Sequence, residues 1–543
     1  MKNNRTLPLL LLLLISFFNV RSQSIQTPAG FEYNEGVILV WDYHAYRDSI
    51  VANIAGAIQD AAKVWIVYYP GPAPADTTQI RTFLLNNGVG FHNVHFVPAY
   101  TNTLWVRDFG PIPFYAAASQ RLRFYDAGYS QYNRPKDDSL PVQLANYWTI
   151  PWSTLPLELE GGNLIFDGFI RGFGSKRIID QNVPQSPAQI ENILNSHFGL
   201  QDFVFLDKLL NSGGGIWMHS DMYMKMIDPE TILLSELPPT APDYNILEGI
   251  RDQIGVLQSV FGRKYNIFRI PVPPKADGTW ATTLNDEMRT YTNSLIINNV
   301  VIVPAYNHPL DSVAYQIYQQ IMPGYQIVMV DSRRLTPMFG AIHCITREIP
   351  PATKLRIRHA RITRNQMFNS EIPVSFQAYS TFTPDSVFIC FRTHPDSAFQ
   401  KIYVYQSCGA YLGVIPNLVQ TDTVHYYLEA WSQNRSVTYP PVAPDAWFTF
   451  WFNQVTDIEE RSAMQSLRVY PNPTSGHFRI FHGNQRVQGG IINLFNNSGT
   501  SVWTGKVNNF GEVSLPEHLP SGFYVVQYLD RNHTGTTRII INR

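Results

Sequence analysis

The chain changes character near residue 351, and this change limits its possible folds more than any other feature. Before it, short apolar runs alternate with polar stretches of helical length, whereas after it helical periodicity largely disappears. Buried strands are predicted at 37–41, 64–69, 295–297 and 300–304, and helices at 48–62 and 186–198, with Asp48 and Ser186 as N-caps. We therefore expect an α/β domain over residues 26–350, within which no sequence repeat is visible.

The second part of the chain carries the pattern of an all-β protein. Alternating residues at 374–378, 386–392 and 423–430, separated by turn residues, predict an immunoglobulin-like β-sandwich over residues 351–453. A polar linker follows at 454–466, and short strands predict a second, smaller β-sandwich over 467–543. Hydrophobic residues make up 45% of the chain, which is ample for cores of this extent.

The charge balance argues against two classes of partner, nucleic acid and anionic membranes. Lys and Arg together number 41, Asp and Glu 42, and the formal net charge is −1. No basic footprint for nucleic acid or for an anionic membrane is present. A charged substrate must therefore be held by individually placed side chains.

The N-terminus has the layout of a secretory signal peptide. Lys2 and Arg5 precede an apolar run at 7–20, which predicts a signal peptide over residues 1–22; a retained membrane anchor is the alternative. Export implies an oxidising compartment, in which Cys390 and Cys408 could form a disulfide. Cys344, the third cysteine, would then be a free thiol.

Cys344 lies in a Gly-led stretch, 340–350, and directly follows His343. A single cysteine with suitable His and Asp residues elsewhere is a candidate nucleophile. The alternative is a buried cysteine that acts as a small hydrophobic residue. The nucleophile interpretation requires suitable histidine and aspartate residues elsewhere in the α/β domain.

Three further stretches concentrate unusual residues. In 105–111, Asp108 is expected at a strand end, although Arg107 and Asp108 could instead form a surface ion pair. In 158–163, two glycines separate Glu160 from Asn163, which indicates tight backbone beside a site or a plain turn.

The third stretch, 213–221, places a histidine and an aspartate after three glycines. On a strand, His219 and Asp221 would face the same side and point into one pocket. A metal half-site is the alternative, but no second His/Cys cluster has suitable spacing. Two aspartates can accept hydrogen bonds from a guanidinium, a thiolate can attack its carbon, and a histidine can protonate the leaving ammonia.

In this order, the motifs Trp-x-Arg-Asp-x-Gly-Pro, Glu-Gly-Gly-Asn, His-x-Asp and Gly-x-x-His-Cys-Ile-Thr-x-x-x-Pro resemble those of the guanidino-group-modifying enzymes. Within that superfamily the resemblance is to the agmatine deiminases and the Porphyromonas-type peptidylarginine deiminases. It implies a five-bladed α/β-propeller (pentein) fold. It also implies Cys344 as the nucleophile, His219 as the general acid and base, and Asp108 and Asp221 as guanidinium ligands. Asn293 matches the asparagine that lies beside the cysteine.

The resemblance further implies a covalent reaction. Cysteine attack and loss of ammonia give a thiouronium adduct, and water then releases a ureido group, so that peptidyl-arginine becomes peptidyl-citrulline. No cofactor and no metal ion are implied. Agmatine or free-arginine deimination is the alternative, and a surface binding protein without catalysis is a third. Glu160, Asn163 and His343 are assigned to supporting positions.

The domain order bears on the substrate and on localisation. Residues 467–543, with Val-Tyr-Pro-Asn-Pro-Thr at 469–474 and Leu-Pro-Ser-Gly-Phe-Tyr at 519–524, resemble a type IX secretion sorting domain. This implies contact with that secretion machinery, passage across the outer membrane, and a secreted or cell-surface protein. The expected partners are arginine-containing peptides or proteins and not nucleic acid; the outer-membrane surface is a further possibility.

The carboxylate-binding positions of the secreted enzymes differ in this chain. The resemblance assigns substrate binding to Trp105 and Arg134, but Lys136 stands where a second arginine is expected and Ile216 where a tyrosine is expected. Lysine retains the positive charge and loses the planar fork of an arginine. A strict preference for C-terminal arginine is therefore not implied.

Overall fold

The computed structural model describes residues 25–71, 77–129, 133–209, 218–283, 285–407, 409–453, 467–482, 485–496, 500–530 and 534–543. These residues belong to two compact units, Met1–Asn453 and Gln454–Arg543. In the part of the chain so described, no helix is long and apolar enough to cross a membrane. The predicted signal peptide and the predicted linker, 454–466, lie outside the described residues.

Five small sheets make up the described part of the α/β domain. The first contains β1 (Gly36–Val40), β2 (Lys63–Tyr68), β3 (Val94–Pro98) and β16 (Arg347–Ile349). The second contains β4 (Ile112–Tyr115), β5 (Leu122–Gly128) and β6 (Trp152–Glu158), and the third β7 (Ile165–Phe166), β8 (Arg171–Ser175) and β9 (Asp202–Leu206). The fourth contains β10 (Met224–Asp228), β11 (Thr231–Glu236) and β12 (Asn266–Pro271), and the fifth β13 (Leu295–Ile297), β14 (Val300–Ala305) and β15 (Gln326–Asp331).

All five sheets repeat one local topology. In each, a first strand pairs antiparallel with a second, and the second pairs parallel with a third. The first sheet takes its antiparallel strand, β16, from the end of the domain, so β1 and β16 join the two ends of the domain. The repeat lies in the topology and not in the residues, which is why it is invisible in the sequence.

Helices lie between the parallel strands of each sheet, and one short helix lies between the first sheet and the second. They are α1 (Ala45–Ile58), α2 (Thr78–Asn86), α3 (Val106–Phe109), α4 (Pro135–Asp138), α5 (Leu140–Trp148), α6 (Arg177–Gln181), α7 (Pro187–Phe198), α8 (Tyr244–Gly255) and α9 (Leu310–Ile321), of which α2 and α3 lie on either side of β3. The prediction of Ser186 as an N-cap is confirmed by a capping box with Gln189. The prediction for Asp48 is wrong, because α1 begins at Ala45 and the Asp48 carboxylate accepts the backbone N–H of Asp42.

Two sheets follow, and they enclose one apolar core between residues 355 and 452. One contains β17 (Leu355–Arg358), β19 (Ile372–Ser380), β22 (Tyr405–Ser407) and β23 (Ala410–Ile415). The other contains β18 (Asn365–Gln366), β20 (Ser386–Arg392), β21 (Gln400–Tyr403), β24 (Thr423–Ser432), β25 (Arg435–Tyr439) and β26 (Phe448–Phe452). The predicted strands at 374–378, 386–392 and 423–430 are confirmed.

Ion pairs and hydrogen bonds tie these sheets to the α/β domain. Arg356 pairs with Glu32 at 3.1 Å, and the Lys354 ammonium donates to Gln26 Oε1 at 2.9 Å. Cys390 is a buried free thiol, with Sγ 3.7 Å from Glu429 Oε2. Cys408 lies outside the described residues, so its pairing with Cys390 stays a prediction.

The second unit, which begins at Gln454, has two described sheets around one apolar core. One contains β27 (Leu467–Tyr470), β28 (His477–His482), β29 (Gln485–Arg486) and β32 (Glu512–Ser514). The other contains β30 (Ile491–Phe495), β31 (Ser501–Lys506), β33 (Gly522–Leu529) and β34 (Thr534–Ile541).

Candidate active site

One segment before the first strand of each sheet contributes to the site. The segments contain Asp108 before β4, Asn163 before β7, Asp221 before β10, Asn293 before β13 and Cys344 before β16. The segment of Asp108 contacts those of Asn163 and Cys344, and the segment of Asn163 also contacts that of Asp221. The shared topology therefore brings together residues that are far apart in the sequence.

Gly162 lies at the centre of this arrangement. A Cβ atom at this position would stand 2.7 Å from Asp108 Oδ1, 2.9 Å from His219 Nδ1 and 3.1 Å from Asp221 Oδ2. The Gly162 N–H also donates to Asp108 Oδ1 at 3.1 Å. The glycine is required because three polar side chains of the site converge where a side chain would be. Its place in Glu-Gly-Gly-Asn favours the reading of tight backbone beside a site over that of a plain turn.

His219 is fully buried between two carboxylates. Its Nε2 lies 2.8 Å from Glu160 Oε2, and its Nδ1 lies 3.5 Å from Asp108 Oδ1. Burial alone would lower the pKa of His219, but the charges of Asp108 and Glu160 outweigh it and raise that pKa. Arg177 and Gln181 donate to the same Glu160 oxygen at 2.7 and 2.9 Å. Despite its burial, the pKa of Glu160 therefore lies below its ordinary value, because His219 and Arg177 favour the carboxylate.

Asp221 and His343 form a second buried pair. Asp221 Oδ2 lies 2.7 Å from His343 Nδ1, so an ionised Asp221 requires the proton on that nitrogen. Burial raises the pKa of Asp221 to about 7, because His219 compensates only in part and Asp108 repels. Burial, together with Arg107 and Lys225, holds the pKa of His343 well below its usual range. His343 is thus a neutral ring that positions the Asp221 carboxylate.

Cys344 is held by Asn293. Asn293 Nδ2 lies 3.3 Å from Cys344 Sγ, while Asn293 Oδ1 accepts the backbone N–H groups of His343 at 3.0 Å and Cys344 at 3.3 Å. Burial raises the pKa of the Cys344 thiol, and the charges of Asp221 and Asp108 raise it further. The thiol is therefore protonated when the site holds no cation.

Two polar atoms of the site form no hydrogen bond with a described residue, although one of them lies 3.5 Å from Asp108 Oδ1. They are Asp221 Oδ1 and His219 Nδ1, and both are buried. Buried polar atoms are rarely left unpaired unless a ligand or water completes them. A planar cation with several N–H donors would supply partners for Asp221 and Asp108 and would offset their mutual repulsion. A cation at this place would also favour the thiolate of Cys344.

The structure corrects three local expectations. His219 and Asp221 do not lie on a strand: Asp221 belongs to a 3₁₀ turn, Ser220–Met222, that precedes β10. Both side chains nevertheless point toward Gly162, because the 3₁₀ turn directs them to the same place, as a strand would have done. Asp108 lies in the short helix α3 and not at a strand end. Arg107 is buried and forms an ion pair with Glu348, so the alternative of an exposed pair with Asp108 is wrong.

Several supporting contacts had no recognisable sequence signal. The Arg107 Nε donates to the backbone carbonyl of His343 at 3.2 Å, which fixes the cysteine segment. Arg177, which holds Glu160, belongs to a different element, α6. Asn163, expected as a supporting residue, accepts the N–H groups of Ser175 at 2.8 Å and Ser220 at 3.0 Å through its side-chain oxygen. It thereby joins the third sheet to the segment of Asp221.

The expected substrate-binding residues lie in different surroundings. Trp105 is buried against Gly340, where an added Cβ would stand 2.1 Å from its ring. Arg134 is half-buried, and its NH1 donates to Tyr129 Oη at 3.3 Å. Lys136 is exposed, and its ammonium lies 5.2 Å from the ring centre of Tyr69.

Lys136 also lies 5.9 Å from the ring centre of Tyr100, so two aromatic rings hold its ammonium group. The ring of Tyr129 packs against that of Phe109, which follows Asp108, with ring centres 5.7 Å apart. Burial raises the pKa of Tyr129, and the charges of Asp108 and Glu160 raise it further. Ile216 lies outside the described residues. Among those described, no group of three or more His, Cys, Asp or Glu side chains could hold a metal ion.

Two parts of the chain match known protein families. Residues 26–350 match the family described as Porphyromonas-type peptidyl-arginine deiminase, and residues 468–542 match the secretion system C-terminal sorting domain. The second match implies interaction with the type IX secretion machinery and secretion across the outer membrane. The family consists of hydrolases that act on C–N bonds of guanidino groups.

Individual relatives carry two kinds of name. A protein of Vibrio parahaemolyticus named "Putative agmatine deiminase" is 28% identical over 358 residues, which are 60% of this chain and 96% of that protein. A crystal structure titled as that of "a putative peptidyl-arginine deiminase" has a TM-score of 0.53 at 22% identity, covering 60% of this chain and 99% of that one. The agmatine deiminase of Enterococcus faecalis has a TM-score of 0.52 at 20% identity, with coverages of 60% and 96%.

These structures share the pentein-like α/β fold of the first 60% of the chain. The family match covers more than half of the sequence and includes every residue of the site described above. The chain therefore belongs to the Porphyromonas-type peptidyl-arginine deiminase family.

Proposed function

We propose that the protein converts arginine residues of peptides to citrulline, with Cys344 as the nucleophile. The observation that carries this proposal is the buried Asp221 Oδ1, which has no hydrogen-bond partner among the described residues and lies beside the Asp108 carboxylate, His219 and the Cys344 segment. A guanidinium placed there would donate to both aspartates. Its charge would also favour the thiolate, since the same two carboxylates raise the pKa of Cys344 when no cation is bound.

The reaction begins when the Cys344 thiolate attacks the central carbon of the guanidinium. The C–N bond to one terminal nitrogen breaks, and ammonia leaves with the proton that His219 donates. This gives a thiouronium adduct on Sγ. The raised pKa of His219 keeps its imidazole protonated, so that it can donate this proton to the leaving ammonia.

The neutral His219 that results takes a proton from a water molecule, and the water attacks the same carbon. The C–S bond then breaks, and the products are a ureido group and the free enzyme. Asn293 is proposed to hold Sγ in position, at 3.3 Å from its Nδ2, through both steps. Glu160 and His343 orient His219 and Asp221 respectively.

The choice between peptide and agmatine depends on charge near the site. Arg134 donates to Tyr129, whose ring packs against Phe109 beside Asp108, and Lys136 lies two residues further along the chain. Agmatine carries an ammonium group at the end opposite its guanidinium, and like charges repel. A peptide that ends in arginine presents a carboxylate instead, which Arg134 can bind in a bidentate manner. The cationic neighbourhood therefore favours a peptidyl substrate over agmatine, the second candidate.

We also propose domain assignments, which are based on the sheets of each part of the chain. The five sheets with one topology support a five-bladed propeller, and the two sheets between residues 355 and 452 support an immunoglobulin-like sandwich. The two sheets of the last unit support a small terminal sandwich. Residues 1–22 are proposed as a signal peptide, and the sorting domain would then place the enzyme outside the cell.

A substrate panel tests the proposal. The purified protein is given a peptide with C-terminal arginine, a peptide with internal arginine, free arginine and agmatine, and citrulline or its decarboxylated analogue is measured. We expect the peptides to be converted with the higher kcat/KM. In Arg134→Gln, kcat/KM for the C-terminal arginine peptide should fall about tenfold, and that for agmatine should not fall. A higher kcat/KM for agmatine than for either peptide would refute the peptidyl assignment.

A further inference from the structure

A second cavity lies next to the reacting groups but does not contain them. It has a volume of about 80 Å³, and its wall includes Arg107, Lys225, His343, Arg347 and Glu348. His343 forms the partition, since its Nδ1 lies 2.7 Å from Asp221 Oδ2 and its Nε2 lies 3.9 Å from Glu348 Oε1. Cys344 and His219 do not line this cavity.

The wall of the cavity has an excess of positive charge. Three cationic side chains, Arg107, Lys225 and Arg347, face one carboxylate, Glu348. Arg107 forms an ion pair with Glu348, so the charges of Lys225 and Arg347 are left uncompensated. His343 adds no charge of its own, because its ring is neutral. The wall therefore carries two more positive than negative charges.

Lys225 is a buried lysine without an ion-pair partner among the described residues. It lies on β10 and is 8% exposed, and its ammonium forms no hydrogen bond or ion pair with any described residue. Burial lowers the pKa of Lys225 to about 8, although Glu348 counteracts this effect in part. A buried ammonium without a partner is costly, and a bound anion would remove most of that cost.

Arg347 is placed in a similar way on β16. Its Nε donates to the Pro111 carbonyl at 2.9 Å, while its two terminal nitrogens form no hydrogen bond with a described residue. Burial and then the neighbouring Arg107 lower the pKa of Arg347 to about 9. A guanidinium with free terminal N–H groups is suited to a planar carboxylate or to a phosphate.

We propose that this cavity binds a small oxyanion, a carboxylate or a phosphate, between Lys225 and the guanidinium of Arg347. Such an anion would reduce the positive potential that Lys225 exerts on Asp221 and on the Cys344 thiolate, with both of which it interacts electrostatically. The thiolate would then form less readily. Occupancy of the cavity should therefore slow deimination without competing for the guanidinium site. The binding itself does not depend on the proposed reaction.

The test is isothermal titration of the full chain with inorganic phosphate at constant ionic strength, without substrate. We expect one site in the wild-type protein and a Kd at least about tenfold weaker in Lys225→Met, since a charge-assisted hydrogen bond is lost. Lys225→Arg, which retains the charge, and Lys136→Met, which removes an exposed lysine, should bind phosphate as the wild type does. Thermal unfolding establishes that each variant is folded.

Three results would overturn the proposal. The first is the absence of phosphate binding to the wild-type protein. The second is equal binding by a folded Lys225→Met variant. The third is a loss of binding in Arg134→Gln with none in Lys225→Met, which would place the anion at the other cationic group near the site. Addition of phosphate to the deimination assay gives the functional readout: turnover should fall in the wild type and stay constant in Lys225→Met.

Discussion

His219 Nε2 lies 2.8 Å from Glu160 Oε2, and the charges of Asp108 and of this carboxylate together raise the pKa of the imidazole. The alkaline limb of the pH profile should therefore depend on Glu160. In Glu160→Gln the negative charge is lost, and the pKa of His219 falls. Because the departing ammonia takes its proton from His219, activity should be lost at a lower pH than in the wild type.

The measurement is kcat against pH for both proteins on the same arginine peptide. Gln181→Leu is the control, since it removes a hydrogen bond to Glu160 and leaves the charge in place. Its alkaline limb should shift less than that of Glu160→Gln. An unchanged limb in Glu160→Gln would contradict the role of the Glu160 charge in raising the pKa of His219.

Asp221 should affect thiol reactivity and turnover in opposite directions. Burial, Asp221 and Asp108 raise the pKa of Cys344, so Asp221→Asn should lower that pKa and increase the thiolate fraction at neutral pH. The variant should react faster than the wild type with iodoacetamide, a neutral reagent. Its kcat/KM for arginine peptides should nevertheless fall by roughly tenfold to hundredfold, because a charged guanidinium ligand is lost.

Labelling rates from mass spectrometry and citrulline release on the same preparation provide this comparison. A fall in both quantities would contradict the electrostatic account, because it would indicate that Asp221 only maintains the local fold.

Gly162→Ala should reduce turnover strongly. The new Cβ would stand 2.7 Å from Asp108 Oδ1 and 2.9 Å from His219 Nδ1, so both side chains would have to move. A displacement of about 1 Å in catalytic side chains lowers the rate roughly hundredfold. Gly249→Ala is the matched control, because Gly249 lies in α8 with open space around it. Alanine at this position should not change the turnover rate and should increase the free energy of unfolding by up to about 1 kcal/mol.

Citrulline release and thermal unfolding are measured for both variants. Equal turnover in Gly162→Ala and the wild type would mean that the three side chains do not meet at Gly162 as described.

Local rules predicted much of the fold from the sequence. Ser186 is recognisable as an N-cap because a glutamine, Gln189, follows it three residues later, which is the spacing of a capping box. The strands of the second part were recognisable because alternation has a period of two. The N-cap prediction for Asp48 is wrong because an aspartate can accept from a loop N–H as readily as from the first turn of a helix. Which of the two it does depends on where the chain places the N–H of Asp42.

The site was less accessible to sequence reasoning alone. The resemblance named the side chains that Gly162 brings together, but the fivefold repeat that assembles them lies in strand order and not in sequence. Arg107 looked like half of an exposed pair because its true partner, Glu348, belongs to the last strand of the domain. The unpaired Lys225 has no sequence signal, since a lysine in an apolar run is ordinarily exposed.

The covalent role of Cys344 is the central claim, and one measurement tests it most directly. Wild-type protein and Cys344→Ala are each mixed with a peptide that ends in arginine, and both peptide and protein masses are followed during turnover. The account predicts conversion of arginine to citrulline with a transient peptide adduct on Cys344 in the wild type, and neither in the folded variant. Conversion by Cys344→Ala at the wild-type rate would contradict it.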